Sequence, residues 1–371
     1  MPSKNVNWLA ELQSAVCEQC DWRYLAPPGS LPTLCPHCFQ ASLTALTEGT
    51  DALADIQPPE LYLPFTVAGD RLTQAIDAFA GGIWFAPADL NPQNLKARLQ
   101  RVYLPMWLVD SEVEAIWQAE TGFNYQVVSH QDSFDQNRAG WVSREVTETR
   151  IRWEPRAGRL QRPYQNIVAP ALEEHYRLSQ QLGRYELKQA RPYQPGAVAN
   201  SFVRLPNRPP AGAWPEAVPP IRTAAAEECR QACRADHLRE FRWSASYANR
   251  NWTLLLLPMY VTYYLDDEEH YQPVLIHGQS GRLQAPRRAS MRRARQVAFI
   301  ILAVAGTMFL LSLIAAAAGL VAPPLLVLGV IGLVIALALG LLAIAPIVIA
   351  WQFNRTTARP QPGLEDRPSG N

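Results

Sequence analysis

Residues 297–321 read VAFIILAVAGTMFLLSLIAAAAGLV, and residues 325–351 read LLVLGVIGLVIALALGLLAIAPIVIAW. Neither run contains an ionisable side chain, and each exceeds the ~20 apolar residues that an α-helix needs to cross a bilayer core. Pro323 and Pro324 lie between the runs, where proline ends one helix and starts the next. The sequence therefore predicts a C-terminal transmembrane helical hairpin.

Arginines flank this hairpin on both sides. Five of them lie in a basic juxtamembrane segment, residues 287–296, and Arg355 and Arg359 follow the second span. Because positive charge stays on the cytoplasmic side, we expect a two-pass protein of the cytoplasmic (inner) membrane with both termini in the cytoplasm. The spans lack carboxylates for an ion or proton path, which argues against a transporter.

Small residues recur every fourth position in the second span, at Gly332, Ala336 and Gly340. Such a stripe lets two helices approach closely. It predicts packing within the hairpin, and self-association of the chain is the alternative that the pattern leaves open.

Four of the six cysteines are arranged as C-x2-C-x14-C-x2-C, namely Cys17, Cys20, Cys35 and Cys38. Two thiolate pairs at this spacing can surround one tetrahedral ion. Residues 1–47 are therefore predicted to form a zinc ribbon with a structural Zn²⁺ site. His37 lies inside the second pair and is interpreted as a surface residue of the turn. Residues 1–47 carry a net charge of −1, which argues against direct nucleic-acid binding by the ribbon.

The other two cysteines, Cys229 and Cys233, precede His237 by eight and four residues. The surrounding sequence is typical of a helix, so all three would share one face. We interpret that face as core, because three positions spaced in this way are too far apart to hold one ion unaided. A second metal site or a redox pair is the alternative.

Between ribbon and membrane, residues 48–60 are predicted to be a linker and residues 61–286 an α+β cytoplasmic head. Alternating apolar and polar residues predict strands at 101–118 and 141–153. Residues 191–221 are predicted to be a Pro-rich loop without regular structure. The fold class is thus multi-domain: an N-terminal zinc ribbon, an α+β head with an antiparallel sheet, and the transmembrane hairpin. Residues 354–371 are predicted to be a disordered tail.

A short internal repeat lies within the head. The sequence Leu-Pro-Met-Trp begins at Leu104, and the similar Leu-Pro-Met-Tyr begins at Leu257. Each copy precedes a predicted strand. We interpret each copy as a β-hairpin that begins at its proline, since proline is tolerated at the start of a strand but not in its middle. The repeat predicts a duplicated α+β unit, with a chance match as the alternative.

Motifs that would indicate catalysis are missing from the sequence. It has no phosphate-binding glycine loop, no G-x-S-x-G and no H-E-x-x-H. Residues 1–286 hold 26 basic and 31 acidic residues, a net charge of −5, which disfavours a broad nucleic-acid footprint. We therefore expect no catalytic residues, no cofactor besides zinc and no enzymatic activity.

Together these features resemble bacterial membrane proteins with an N-terminal four-cysteine ribbon, an α+β head and two C-terminal membrane helices. The resemblance rests on the cysteine pairs, on residues 103–107 and 257–260, and on the sequence His-Gly-Gln-Ser-Gly at 277–281. Members of the group often end the head with Asn-Gly-Gln-Thr-Gly. They are also described as helicase- or primosomal-like, for which this chain lacks the phosphate-binding loop.

The resemblance implies protein partners at the membrane of the SPFH/flotillin-like or phage-shock type. The leading hypothesis is a non-enzymatic membrane-anchored adaptor that recruits such partners. The alternatives are a membrane-tethered nucleic-acid-binding regulator, and a ligand sensor or enzyme subunit that uses a pocket in the head.

Overall fold

The computed structural model describes residues 12–27, 29, 31–32, 34–46, 57–135, 140–318 and 323–357. The strands are β1 Gln13–Cys17, β2 Arg23–Ala26, β3 Leu43–Ala45, β4 Leu61–Tyr62, β5 Gln100–Asp135, β6 Gly140–Pro170, β7 Arg191–Pro192, β8 Phe202–Arg204, β9 His237–Leu265, β10 Tyr271–His277 and β11 Leu283–Gln284. The helices are α1 Gly69–Gly81, α2 Pro92–Ala97, α3 His175–Leu182, α4 Pro195–Val198, α5 Pro210–Ala232, α6 Met291–Ala318, α7 Pro323–Leu342 and α8 Ala345–Thr357.

One mixed sheet organises the chain. Its main path runs β11–β10–β9–β5–β8–β2–β1–β3, with β6 following β8 along the same edge of β5 and β4 beside β9. The three N-terminal strands are therefore joined to the head, because β2 pairs with β8 through Tyr24↔Arg204 and Leu25↔Val203. Their core continues into the head as well, since buried Trp22 and Phe39 belong to the same cluster as Leu104 and Leu257.

The longest strands, β5, β6 and β9, form an arm that extends from the rest of the head. β5 has 36 residues, and it pairs antiparallel with β6 along one edge and with β9 along the other. At roughly 3.3 Å per residue, a strand of this length extends on the order of 100 Å. The predicted strands at 101–118 and 141–153 are confirmed, but each is only part of a much longer strand.

Helix α5 covers one face of the arm, which corrects the prediction of a Pro-rich loop at 191–221. Residues 210–221 are helical although the helix contains Pro215, Pro219 and Pro220. These prolines lie on the exposed side. The opposite side buries a stripe at every fourth residue against the sheet: Ala213, Ala217, Ile221, Ala225 and Cys229. Packing of this stripe offsets the hydrogen bonds that the prolines remove.

The two copies of the repeat do not form separate hairpins. They lie opposite each other in one ladder, with Leu104 paired to Leu257 and Tyr103 to Pro258. Both prolines lie inside strands, contrary to the expectation that they open them. Pro105 lies between the part of β5 paired with β8 and the part paired with β6, which begins at Met106. Pro258 similarly lies in β9 between the residues paired with β4 and those paired with β10. Each proline therefore lies where its strand changes from one neighbouring strand to another.

Two apolar helical segments, Met291–Ala318 and Pro323–Thr357, are long enough to cross a membrane. Both ends of this hairpin dock on the same part of the head. Asn354 accepts from the Ala289 backbone N–H at 2.7 Å and donates to its carbonyl at 2.9 Å. Ala294 and Ala350 pack in a cluster with Tyr260 and Tyr264 of β9.

Some predicted boundaries fall outside the described residues. Residues 1–11 and 47 of the predicted ribbon, residues 48–56 of the predicted linker, residues 319–321 of the first predicted span and residues 358–371 of the predicted tail are among these. Residues 354–357, assigned to the tail, belong to α8, and residues 291–296 of the basic segment belong to α6. The division into a ribbon, a head and an anchor as separate domains stays a prediction.

Candidate metal centre

The four predicted ligand cysteines come together at one point. Their sulfur atoms all lie within 4.8 Å of one another. The Cys17 and Cys38 sulfurs are 3.6 Å apart, and those of Cys20 and Cys35 are 3.8 Å apart. Tetrahedral coordination with metal–sulfur bonds of ~2.3 Å would separate the sulfurs by about 3.8 Å. The four side chains can therefore hold one metal ion with little rearrangement.

Two similar turns present the sulfurs. In the first, the Asp21 N–H donates to the Cys17 carbonyl, and in the second the Phe39 N–H donates to the Cys35 carbonyl. The residue after each pair is left-handed, with φ of 55° at Asp21 and 56° at Phe39. This conformation is uncommon for residues other than glycine. Phe39 is held in it by packing, since its ring lies 5.0 Å from that of Tyr263 in β9.

The metal-free thiols differ in acidity. Burial raises the pKa of Cys35 to about 11, and burial also raises the pKa of Cys20. At Cys17, hydrogen bonds from the backbone of Cys20 and Gln19 outweigh burial and lower the pKa. Because a metal ion binds thiolates, it must displace protons from these groups, and its occupancy will fall as the pH falls.

His37 is not among the clustered ligands. Its imidazole stacks on Trp22 with the ring centroids 3.5 Å apart and the planes 9° from parallel. Burial lowers the pKa of His37 to about 4, so the ring is neutral at physiological pH. The expectation that His37 is not a ligand agrees with this placement, but the ring is half-buried and packed, which corrects its interpretation as a surface residue.

A buried arginine on β8 completes the surroundings. The Arg204 side chain is 3% exposed, its guanidinium lies 4.3 Å from the Trp22 ring centroid, and it donates to the Arg23 carbonyl. It interacts electrostatically with Cys20 and Cys35. Four thiolates around a divalent cation carry a net charge of −2, which is costly to bury without a nearby cation. Arg204 supplies that charge from the head.

Removing this charge should weaken metal binding. We expect the dissociation constant of the metal to rise roughly ten-fold in Arg204→Met, which corresponds to ~1.4 kcal/mol. The increase should be smaller in Arg204→Lys. Competition with a chromophoric chelator measures the constant, and Arg23→Met, an exposed neighbour on β2, is the matched control. Equal constants for Arg204→Met and Arg23→Met would contradict this role.

Sequence reasoning missed Arg204 because 166 residues separate it from Cys38. The β2–β8 pairing brings it there, and no local pattern around Leu205 or Val203 signals that pairing. Residues 191–221 are also predicted to be a loop, so the position of Arg204 between two apolar residues gives no sign of a strand.

Cys229, Cys233 and His237 do not share a helix face. Cys229 is buried near Trp117 in the arm, Cys233 follows the last residue of α5, and His237 begins β9. The His237 Nε2 lies 2.9 Å from the Asn124 side-chain oxygen. The interpretation of Cys229 as a core residue is confirmed. The positions of the three residues do not indicate a shared metal site.

A second group of potential ligands, Asp266, Glu268 and His270, lies in the turn between β9 and β10. The Asp266 carboxylate accepts from the backbone N–H groups of Glu268 and His270, at 3.1 and 2.9 Å, and from the Gln272 side chain at 2.8 Å. These bonds account for the burial of Asp266. The group is therefore interpreted as a stabilised turn.

Comparison of the chain with protein-family models, with curated proteins and with solved structures gives no match. The family resemblance drawn from the motifs stays a prediction, and the function must be inferred from the residues of this chain.

Proposed function

We propose that the chain is a non-enzymatic adaptor of a bacterial cytoplasmic membrane, anchored by α6–α8, that recruits protein partners with its arm. The four-cysteine cluster holds a structural Zn²⁺ in this proposal, since four thiolates favour zinc and leave no open coordination position. Docking of both hairpin ends on one part of the head supports an anchor with both ends on one side of the membrane.

The end of the arm carries the proposal. β9 begins at His237, which pairs with Gly122, so residues 123–135 of β5 have β6 on one side only. The side chains of Tyr125, Val128 and Trp141 are 46%, 53% and 75% exposed. A two-stranded hairpin of this kind is marginal in water by itself. Exposed aromatic and β-branched side chains on it favour a protein-contacting role.

Beyond Asn124, the backbone on the open edge has no strand partner among the described residues. The Asn124 N–H donates to the Asp236 carboxylate at 2.8 Å, on the side where β9 would continue. Because backbone groups of an antiparallel strand alternate between its two sides, those of Gln126, Val128 and His130 also face the open edge. The β5–β6 register is unbroken from Ser111 to Asp135, so this alternation holds to the tip.

Other edges of the arm are protected against strand addition. β6 contains Pro155 and Pro163. β9 has irregularities opposite residues 110–112 and 118–120, with left-handed residues at Asn249 and Glu240. Prolines and bulges block edge pairing. The tip of β5 has neither, and it contains no Lys or Arg, so an extended, uncharged or basic segment of a partner fits this edge.

Val128→Pro tests the adaptor. It removes an N–H that faces the open edge and should leave the β5–β6 ladder in place. In pull-downs from native membranes we expect recovery of the partner to fall roughly ten-fold, the equivalent of ~1.4 kcal/mol. The predicted partners are SPFH/flotillin-like or phage-shock-type proteins, and mass spectrometry identifies them.

Val128→Thr, which keeps the N–H, is the matched control and should recover the partner normally. A shortened arm, in which an Asn-Gly turn joins Phe123 to Arg152, should abolish recovery, because these two residues are paired in the hairpin. The adaptor proposal fails if the shortened arm, with unchanged membrane insertion and metal content, recovers the same proteins as the wild type.

Arginines on β6 favour a nucleic-acid-binding regulator as the second candidate. Several of them are paired with carboxylates, however: Arg152 and Arg156 share Glu154, at 3.0 and 2.7 Å, and Arg162 lies 3.4 Å from Glu228. DNA binding that weakens steeply with salt and is lost with the shortened arm would favour this candidate over the adaptor.

A further inference from the structure

A half-open apolar cavity of about 430 Å³ lies in the head, next to the core shared with the cysteine cluster. The sheet contributes Leu104, Met106 and Leu257 to its lining, and α3 contributes Leu178 and Leu182. Sites for small molecules occupy ~300–1,000 Å³, so the cavity has the size and the apolar lining of a ligand site.

Polar groups line the cavity at only a few positions. His175, Ser179 and Gln180 of α3 contribute to it, and the segment that follows α3 contributes Arg184 and Tyr185. Ser179 is already engaged, because its hydroxyl donates to the Tyr176 carbonyl at 3.0 Å. Burial lowers the pKa of His175, so its ring is neutral and adds no charge at physiological pH. Arg184 is therefore the cationic group of the lining.

The positive charge around Arg184 has no acidic partner. Among the described residues, no carboxylate lies within 4.0 Å of the guanidinium of Arg184 or of Arg282. Arg282 approaches the same segment, with its Nη1 3.1 Å from the position that a Cβ on Gly183 would occupy. Two cations thus lie beside an apolar cavity without a compensating anion from the protein.

We propose that this cavity binds a single-chain amphiphile with an anionic headgroup. The chain lies among the leucines, and the headgroup pairs with Arg184. The volume equals that of about 14 water molecules at ~30 Å³ each, and a methylene group is of similar size, so one chain of roughly a dozen carbons fits. This inference does not depend on the adaptor proposal, because the cavity and the open edge of β5 are formed by different residues.

The test uses the full-length chain in lipid nanodiscs and three photoreactive diazirine probes. One is a twelve-carbon carboxylate, one a twelve-carbon monoalkyl phosphate and one the corresponding alcohol. Mass spectrometry locates the adducts. We expect at least one of the two anionic probes to label residues 168–187. The anionic probe that labels these residues more strongly identifies the headgroup as a carboxylate or a phosphate.

Two variants test the geometry. Leu178→Trp fills the cavity and should abolish labelling at residues 168–187, while the volume-conserving Leu178→Met should keep it. If Leu178→Trp does not fold, Val168→Trp fills the cavity from β6 instead. Arg184→Gln should reduce labelling by the anionic probe roughly ten-fold and leave labelling by the alcohol unchanged, as expected when one charge-assisted contact is lost.

Adducts confined to α6–α8 would overturn the proposal, because they would show that the probes only enter the bilayer. Labelling of residues 168–187 that Leu178→Trp does not reduce would overturn it as well. Equal labelling by all three probes, insensitive to Arg184→Gln, would refute the anionic headgroup.

Discussion

Replacing Cys35 by serine is expected to remove the metal and to unfold the N-terminal strands. The Cys35 side chain is fully buried, and its sulfur lies 3.8 Å from that of Cys20. A serine hydroxyl cannot replace the thiolate as a soft ligand, and metal binding by small cysteine modules is coupled to folding. Elemental analysis should find one metal ion per wild-type chain and less than about a tenth of that in Cys35→Ser.

The Cys35→Ser substitution should also destabilise the head. Cys17 and Cys35 belong to the same buried cluster as Met106 of β5 and Leu255 of β9. Loss of a buried contact set of this kind costs ~3 kcal/mol or more. At 2–4 °C per kcal/mol for domains of 150–250 residues, the melting temperature of the head should fall by about 10 °C.

Cys233→Ser is the matched control, because Cys233 is a cysteine outside the cluster and only half-buried. It should keep both the metal and the melting temperature. Removal of metal from the wild type by a chelator should reproduce the Cys35→Ser profile in limited proteolysis. If residues 12–46 stay protected after complete chelation, the coupling of metal and fold in this chain is refuted.

The cysteine ligands and the apolar helices were predictable because each rests on a local pattern. A C-x2-C pair fixes two ligands within one turn, and a run of apolar residues fixes a helix whatever its neighbours are. Local patterns thus predicted the cysteine cluster and the two apolar helices.

The arm and its helix were not predictable in the same way. Strand length depends on how far a partner strand continues, and β5 extends to Asp135 only because β6 pairs with it to the end. In α5, three prolines argue locally for a loop, while the alanines that favour the helix act only through burial against the sheet. Interactions between distant segments override local preference here.

Internal duplication of the head stays a prediction. The two Leu-Pro-Met motifs occupy neighbouring strands that run in opposite directions, with Leu104 opposite Leu257. An approximate two-fold relation between the strands would account for such a pairing, and a chance match would do so as well. The positions of Pro105 and Pro258 favour the two-fold relation, because each proline lies where its strand changes from one neighbouring strand to another.

The two apolar helices pack through small residues at two of the three predicted positions, Gly332 and Ala336, and also at Gly329. A Cβ at Gly329 would lie 2.5 Å from the Ala316 backbone nitrogen, and one at Gly332 would lie 2.1 Å from the Ser312 hydroxyl. Ala336 is also buried. Gly340, the third member of the predicted stripe, has no atom within 4 Å of its Cβ position. Self-association through Gly340 therefore stays open, whereas Gly332 is used within the hairpin.

Gly329→Leu should consequently separate α6 from α7. The added side chain meets backbone atoms of Ala316, which cannot rotate away, so the helices must move apart and lose their contact along the stripe. Overpacking of this kind lowers the free energy of unfolding by about 1–3 kcal/mol. Thermal unfolding of the full chain in nanodiscs measures the change.

Gly340→Leu is the matched control, since it makes the same substitution in the same helix at an open position. It should be neutral or slightly stabilising, because leucine favours a helix by roughly 0.8–1 kcal/mol over glycine. Helix propensity and lipid exposure change in the same way in both variants, so the difference in stability between them measures helix packing. Equal stability of Gly329→Leu and Gly340→Leu would contradict the close approach at Ala316. A loss in Gly340→Leu alone, together with loss of chain–chain contacts, would instead place a self-association surface at Gly340.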